Sequence, residues 1–158
     1  MGMKITSESL NRTLQMLDAA EREITEAVSS AFAEAGEFIV EKVRNGEMSN
    51  WTDVSGSLRS SIGGVVCSRG RIVKMFGFEA VLNGSGGAYK GRDMARSLAA
   101  EYSMYDNVLI IVAGEEYAVY VEAVDGKVVL SAAYLYIEKQ MPVLLRNKIR
   151  NVLRKYEG

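Results

Sequence analysis

Gly64-Val65-Val66-Cys67-Ser68-Arg69-Gly70-Arg71-Ile72-Val73-Lys74-Met75-Phe76 sets two apolar, β-branched runs on either side of Arg69-Gly70. A two-residue connection ending in glycine between such runs predicts a tight-turned β-hairpin. This hairpin decides the fold class, because the longest segments on both sides of it read as helix. Toward the N-terminus, Leu10, Leu14, Leu17, Ile24, Val28, Ala31, Ala35, Phe38, Ile39 and Val43 recur at spacings of three, four and seven, the period of one helical face. They predict a helix over 8–45, capped by Thr6 or Ser7 and stopped by Asn45-Gly46. At 1.5 Å per residue it would be about 57 Å long, more than a compact domain of this size is wide, so part of it should pack on something else. Glu21 interrupts the apolar stripe and predicts a kink or a frayed, partner-seeking first third.

Toward the C-terminus, nine of the fifteen glycines fall between 56 and 91, marking turns and loops. A helix is expected from about 91 to 102, with Met94, Leu98 and Ala95 or Ala99 inward. The uniformly apolar run Val108-Leu109-Ile110-Ile111-Val112-Ala113 predicts a central strand covered on both faces. A last helix over 131–156 carries a stripe of Tyr134, Ile137, Met141, Leu145, Ile149, Val152 and Tyr156, and Pro142 within it should kink it or open a second segment. The prediction is an α+β fold: long N-terminal and C-terminal helices packed on a small, mainly antiparallel sheet, with an extra glycine-loop and helix insert over 78–107. With 158 residues, 48% apolar and 25% charged, the chain has the composition of one folded domain, 1–158, divided into 8–45, 51–114 and 115–158.

Histidine is absent and Cys67 is the only cysteine. That removes Ser-His and Cys-His dyads, an intrachain disulfide and cysteine-built zinc sites, and no cofactor or metal is expected. No apolar run approaches the ~20 residues of a membrane span, and no secretory leader is visible at the start, so a cytosolic origin is expected. Net charge is −1 but unevenly placed: −5 over 8–47, +3 over 51–105, −5 over 106–138 and +5 over 139–157. Opposite ends suit head-to-tail association of like subunits; equally, they can balance within one molecule.

The loop Asn83-Gly84-Ser85-Gly86-Gly87-Ala88-Tyr89-Lys90-Gly91 invites a phosphate-binding reading. Lys90 is followed by Gly91 and Arg92 rather than by Ser or Thr, and Tyr89 stands where a dinucleotide loop needs glycine, so a mobile surface loop that orders against a partner is expected. Gly84, Gly86, Gly87 and Lys90 are then candidate interface residues. Arg146, Arg150 and Arg154 repeat every four residues as a further candidate face, read as a solvated or protein-facing stripe because the chain as a whole is slightly acidic. Cys67 reads as buried filler, and Glu115, Glu116, Glu122 and Asp125 as a solvated carboxylate cluster.

Two local patterns are more specific together. Ser55-Gly56-Ser57-Leu58-Arg59-Ser60-Ser61-Ile62 predicts a capped helical turn anchored by Leu58 and Ile62. Tyr117-Ala118-Val119-Tyr120-Val121-Glu122 follows the apolar strand and fits either a short helix or a strand. In this order, after a long first helix and before a final one, these motifs resemble the minor tail and head-to-tail connector, or tail-completion, family of long-tailed bacteriophages. In that family a small-hydroxyl-Gly-x-Leu-Arg-x-Ser-Ile turn precedes a hairpin and a strand ending in Tyr-Ala-x-Tyr-Val-Glu. The chain departs from the family pattern after Glu122, where Ala123-Val124-Asp125-Gly126 replaces Gly-Thr, and in its longer 78–107 insert.

The resemblance implies a phage or prophage virion subunit at the head-tail junction, non-enzymatic, with Ser55, Gly56, Leu58, Arg59, Ser61, Ile62, Tyr117, Ala118, Tyr120, Val121 and Glu122 as motif and core residues. Its partners would be copies of itself in a ring, a hexamer being the most telling, and neighbouring tail or head-connector proteins, with no membrane and no sequence-specific nucleic acid. It would lie in the bacterial cytoplasm before assembly and in the virion after it. Two other readings stay open: an anion- or nucleotide-binding domain using Gly84 to Gly91 with Lys90 and Arg92, and a helical adaptor docking through Leu10 to Val43.

Overall fold

The computed structural model describes residues 1–123 and 127–157, the Tyr120 side chain excepted. Helix α1, Ser7–Arg44, forms as the periodicity predicts. The Thr6 hydroxyl accepts from the Ser9 backbone N–H and the Ser9 hydroxyl accepts from the Thr6 N–H, both at 3.2 Å, so two otherwise orphaned donors are satisfied. At the far end Gly46 takes φ +79° and donates to Val43 O, while Glu47 donates to Lys42 O. That pair of bonds is a Schellman stop, which needs the left-handed backbone glycine supplies. Only the second half of α1 is buried, through Ala31, Ala35, Gly36, Ile39, Val40 and Val43.

Helix α2, Ser57–Ser61, leads into strand β1, Ile62–Ser68, which pairs antiparallel with β2, Arg71–Gly77. Arg69 (φ 51°) and Gly70 (φ 75°) both lie in the left-handed region, as a type I′ turn requires. Helix α3, Ser85–Glu101, crosses to strand β3, Asn107–Ala113, followed by α4, Tyr117–Ala123, and α5, Ser131–Leu153. Strand β3 pairs antiparallel with β1, giving the order β2-β1-β3. Side chains alternate across this sheet. Val65, Cys67, Ile110 and Val112 meet Ala95 and Ala99 of α3 on one face, whereas Ile62, Ile111 and Phe76 pack with Ile39, Val40 and Val43 of α1 on the other. Helix α5 lies antiparallel along α1, with Tyr136 beside Phe38, Lys148 at Glu34 and Lys155 at Glu23. The α+β architecture is therefore the one expected.

Four expectations change. The apolar 108–113 run is an edge strand and β1 is the centre, because α1 and α3 pack on opposite faces of both β1 and β3 and an apolar run reports packed faces, not position. The 83–91 segment is not a surface loop: α3 begins at Ser85, six residues earlier than expected. A Cβ at Gly87 would strike Ser57 O and one at Gly91 would strike Ser61 O, so these glycines let α3 approach the α2 backbone. Of the inner face expected, Ala95 and Ala99 are buried and Leu98 packs against their cluster, Ala88 and Gly91 are buried beside them, and Met94 alone is exposed. Helix α5 continues through Pro142 without opening a second segment.

Candidate functional site

The two motifs, some 55 positions apart in the chain, meet at one junction. Leu58, Ile62 and Ala118 are buried in one cluster, with Val121 packed against it. Ser61 ties α2 to the end of β3: its carbonyl accepts from Gly114 N at 3.1 Å and its hydroxyl from Glu115 N at 3.3 Å, while that hydroxyl donates to Leu58 O at 2.8 Å. Gly56 sits at φ +82° and donates to Asp53 Oδ1 at 3.0 Å, and the Ser55 hydroxyl accepts from Ser57 N. The Arg59 guanidinium lies 5.9 Å over the Trp51 ring, with its Nε 3.7 Å from Asp53 Oδ2. Tyr117–Ala123 is helix α4, so the alternative left open by periodicity resolves to helix, and the Tyr-Ala-x-Tyr-Val-Glu segment follows the strand rather than ending it.

Glu122 Oε1 accepts from the backbone N–H groups of Val129, Leu130 and Ser131 at 2.8 to 2.9 Å, which makes it the cap of α5. Burial opposes its charge, but the donors at Ser131, Val129 and Leu130 outweigh burial, and its pKa lies below the usual carboxylate value. Glu115 is buried and meets Lys90 Nζ at 2.8 Å, and that bond holds the ammonium above its ordinary pKa. Burial likewise raises the Tyr117 phenol and the Cys67 thiol, which sits in the core. The Tyr120 side chain and Asp125 lie outside the described residues. These groups hold elements in place; Glu115 and Glu122, expected in a solvated cluster, are a buried ion-pair member and a helix cap.

Of the residues expected at an interface, Gly84 and Gly87 are buried against α2, Gly86 is open, and Lys90 is held by Glu115. Arg92 donates to Phe78 O at 2.7 Å. The cations of the anion-binding reading are thus each bonded to a group of the same chain, Lys90 at the surface. Arg146, Arg150 and Arg154 face outward and form no ion pair among the described residues. The opposite charges of the two terminal helices meet within the molecule, through Lys148 with Glu34 at 2.7 Å and Lys155 with Glu23 at 2.8 Å. Tyr156 adds a hydroxyl bond to Glu23 at 2.9 Å.

Three further features stand out, the first two unforeseen from the sequence. Arg44 donates to Arg59 O, Ile62 O and Glu79 O, clamping the end of α1 onto the sheet. An apolar groove of about 690 Å³ opens between β3, the first half of α5 and the turn after α3, lined by Phe32, Tyr102, Tyr105, Leu109, Tyr134 and Ile137 among others. Its one sequence signal is Tyr102-Ser103-Met104-Tyr105, an aromatic-rich turn where polar residues are the rule. The third is the extent of the bare arm: every residue from 1 to 18 is exposed, Leu10, Leu14 and Leu17 included.

Among the described residues no group of three or more His, Cys, Asp or Glu side chains is placed to hold a metal ion, and no helix is long and apolar enough to cross a membrane. No family model matches the chain, and no curated protein or solved structure is significantly similar to it.

Proposed function

We propose that this chain is a structural subunit of a phage or prophage particle, a tail-completion or connector protein that assembles as a ring at the head-tail junction and carries no catalysis. The observation that carries the reading is the junction at Ser61, where the Ser55–Ile62 turn and the Tyr117–Glu122 helix are locked together between a sheet and two terminal helices. Both motifs supply joints there, not reactive groups: buried hydroxyls, an anchoring leucine and isoleucine, and a helix-capping carboxylate. A subunit of this kind must hold its shape while presenting separate surfaces to neighbours. The bare first third of α1 and the groove beside β3 are two such surfaces. Neighbouring tail or head-connector proteins would be the further partners, and the virion the final location.

Native mass spectrometry over a concentration series, with negative-stain imaging, tests the proposal. A closed ring, a hexamer above all, is expected. A protein that stays monomeric across the series and leaves no ring on the grid would overturn it.

A further inference from the structure

We infer that residues 1–17 of one copy seat, apolar side inward, in the groove beside β3 of the next copy, and that this contact closes the ring; the inference rests on the ring reading above. The arm is a helix start with nothing to pack on. Leu10, Leu14 and Leu17 lie on one face at spacings of four and three, about half exposed or more, and Met3 and Ile5 precede them in the open. A row of exposed leucines on one helix face is surface of the kind that interfaces bury; Met16 is exposed too, but about 100° round the helix from Leu17.

The groove is the matching vacancy. Its floor is the α1-facing side of β3, an edge strand whose outer side pairs with no described strand, and its rim is aromatic, with Tyr105 and Tyr134 more than half exposed. The arm cannot fill the groove of its own chain. Phe32, in the groove wall, and Leu17 belong to one continuous helix, so they stand about 22 Å apart along its axis, and Leu10 about 33 Å. Occupancy must come from a second molecule.

Charge agrees with this pairing. Lys4 is the arm's one cation without an ion-pair partner among the described residues, Arg12 being paired with Glu8, while Glu101, Asp106 and Glu138 flank groove-lining residues in sequence. None of those three acids has an ion-pair partner among the described residues. Because arm and groove are different surfaces, the contact is heterologous: each copy gives one arm and receives one, which closes into a ring where the rotation permits.

Two full-length variants test the contact. L10E/L14E/L17E spoils the arm and leaves the groove; Tyr134→Asp spoils the groove and leaves the arm. All four side chains are exposed, so circular dichroism and urea unfolding should match the parent. Each variant alone is expected to self-associate at least tenfold more weakly than the parent in sedimentation velocity. Mixed, they should form a 1:1 dimer and nothing larger, since only one intact arm and one intact groove remain. If the parent forms a ring and either variant does so equally well, or the mixture gives no dimer, the arm-in-groove contact is overturned and the ring reading survives. If the parent itself stays monomeric, both fail.

Discussion

Gly86 and Gly91 lie on the same helix and should respond in opposite ways to one added methyl. A Cβ at Gly91 would strike Ser61 O and the Phe78 ring, whereas at Gly86 it meets nothing within 4 Å. Gly91→Ala should therefore cost about 1–3 kcal/mol by over-packing, and Gly86→Ala should be neutral or stabilising by up to ~1 kcal/mol, since alanine is the better helix former. Urea midpoints at constant m-value measure both, and equal effects would contradict the packing of α3 on α2. Glu122 makes a second residue-scale case. Glu122→Gln keeps an acceptor for α5 but removes the negative charge at its N-terminus, a loss of about 0.3–1 kcal/mol at pH 7. The Glu122 pKa is lowered in the fold, so its stabilisation is present above the ordinary carboxylate pKa and is lost as pH falls through the lower native value. The gap between parent and variant should then be full at neutral pH and close in acid; a gap that widens in acid would show that the carboxylate is not the cap.

Between elements, the interaction to test joins α1 and α5. Lys148 and Glu34, at 2.7 Å, are about one-third and more than half exposed, so their coupling should be small, about 0.2–1 kcal/mol. Glu34→Lys and Lys148→Glu should each destabilise, the double reversal should recover part of the loss, and added salt should shrink the recovery; a double-mutant cycle in urea reads it. These helices, and the hairpin, were legible in the sequence because their signals are local: a 3.6 period, a capping hydroxyl, an Asn-Gly stop, an Arg-Gly turn. The start of α3 was not, because Gly84, Gly86, Gly87 and Gly91 spell a loop by composition, although three of them let two backbones come together. Nor was the place of β3, since an apolar run looks the same at the edge of a covered sheet as at its centre. The charge asymmetry was legible, but its resolution within one molecule depends on α5 folding back along α1, a long-range fact. Of the candidate site, the Leu58 and Ile62 anchors could be read from spacing; the Glu122 cap and the Arg44 clamp could not, because their partners are backbone groups brought near only by the fold.

At the scale of the whole molecule, stability and assembly are carried by different parts of one helix. The buried residues of α1 begin at Ala31, with partly buried positions from 19 onward, and every residue from 1 to 18 is exposed. Unfolding exposes almost nothing new from that arm, and the m-value follows newly exposed surface. A chain lacking residues 1–16 should thus unfold cooperatively in dilute solution, with the parent's m-value and a free energy within about 0.5 kcal/mol of it. It should lose one property only. Association stabilises the folded state by mass action, so the parent's melting temperature should climb with protein concentration, while that of the shortened chain stays level. Differential scanning calorimetry across a hundredfold range of concentration separates the two. A shortened chain that melts early even when dilute would place the arm in the folding core; one whose melting temperature climbs as steeply as the parent's would place the assembly surface elsewhere on the molecule.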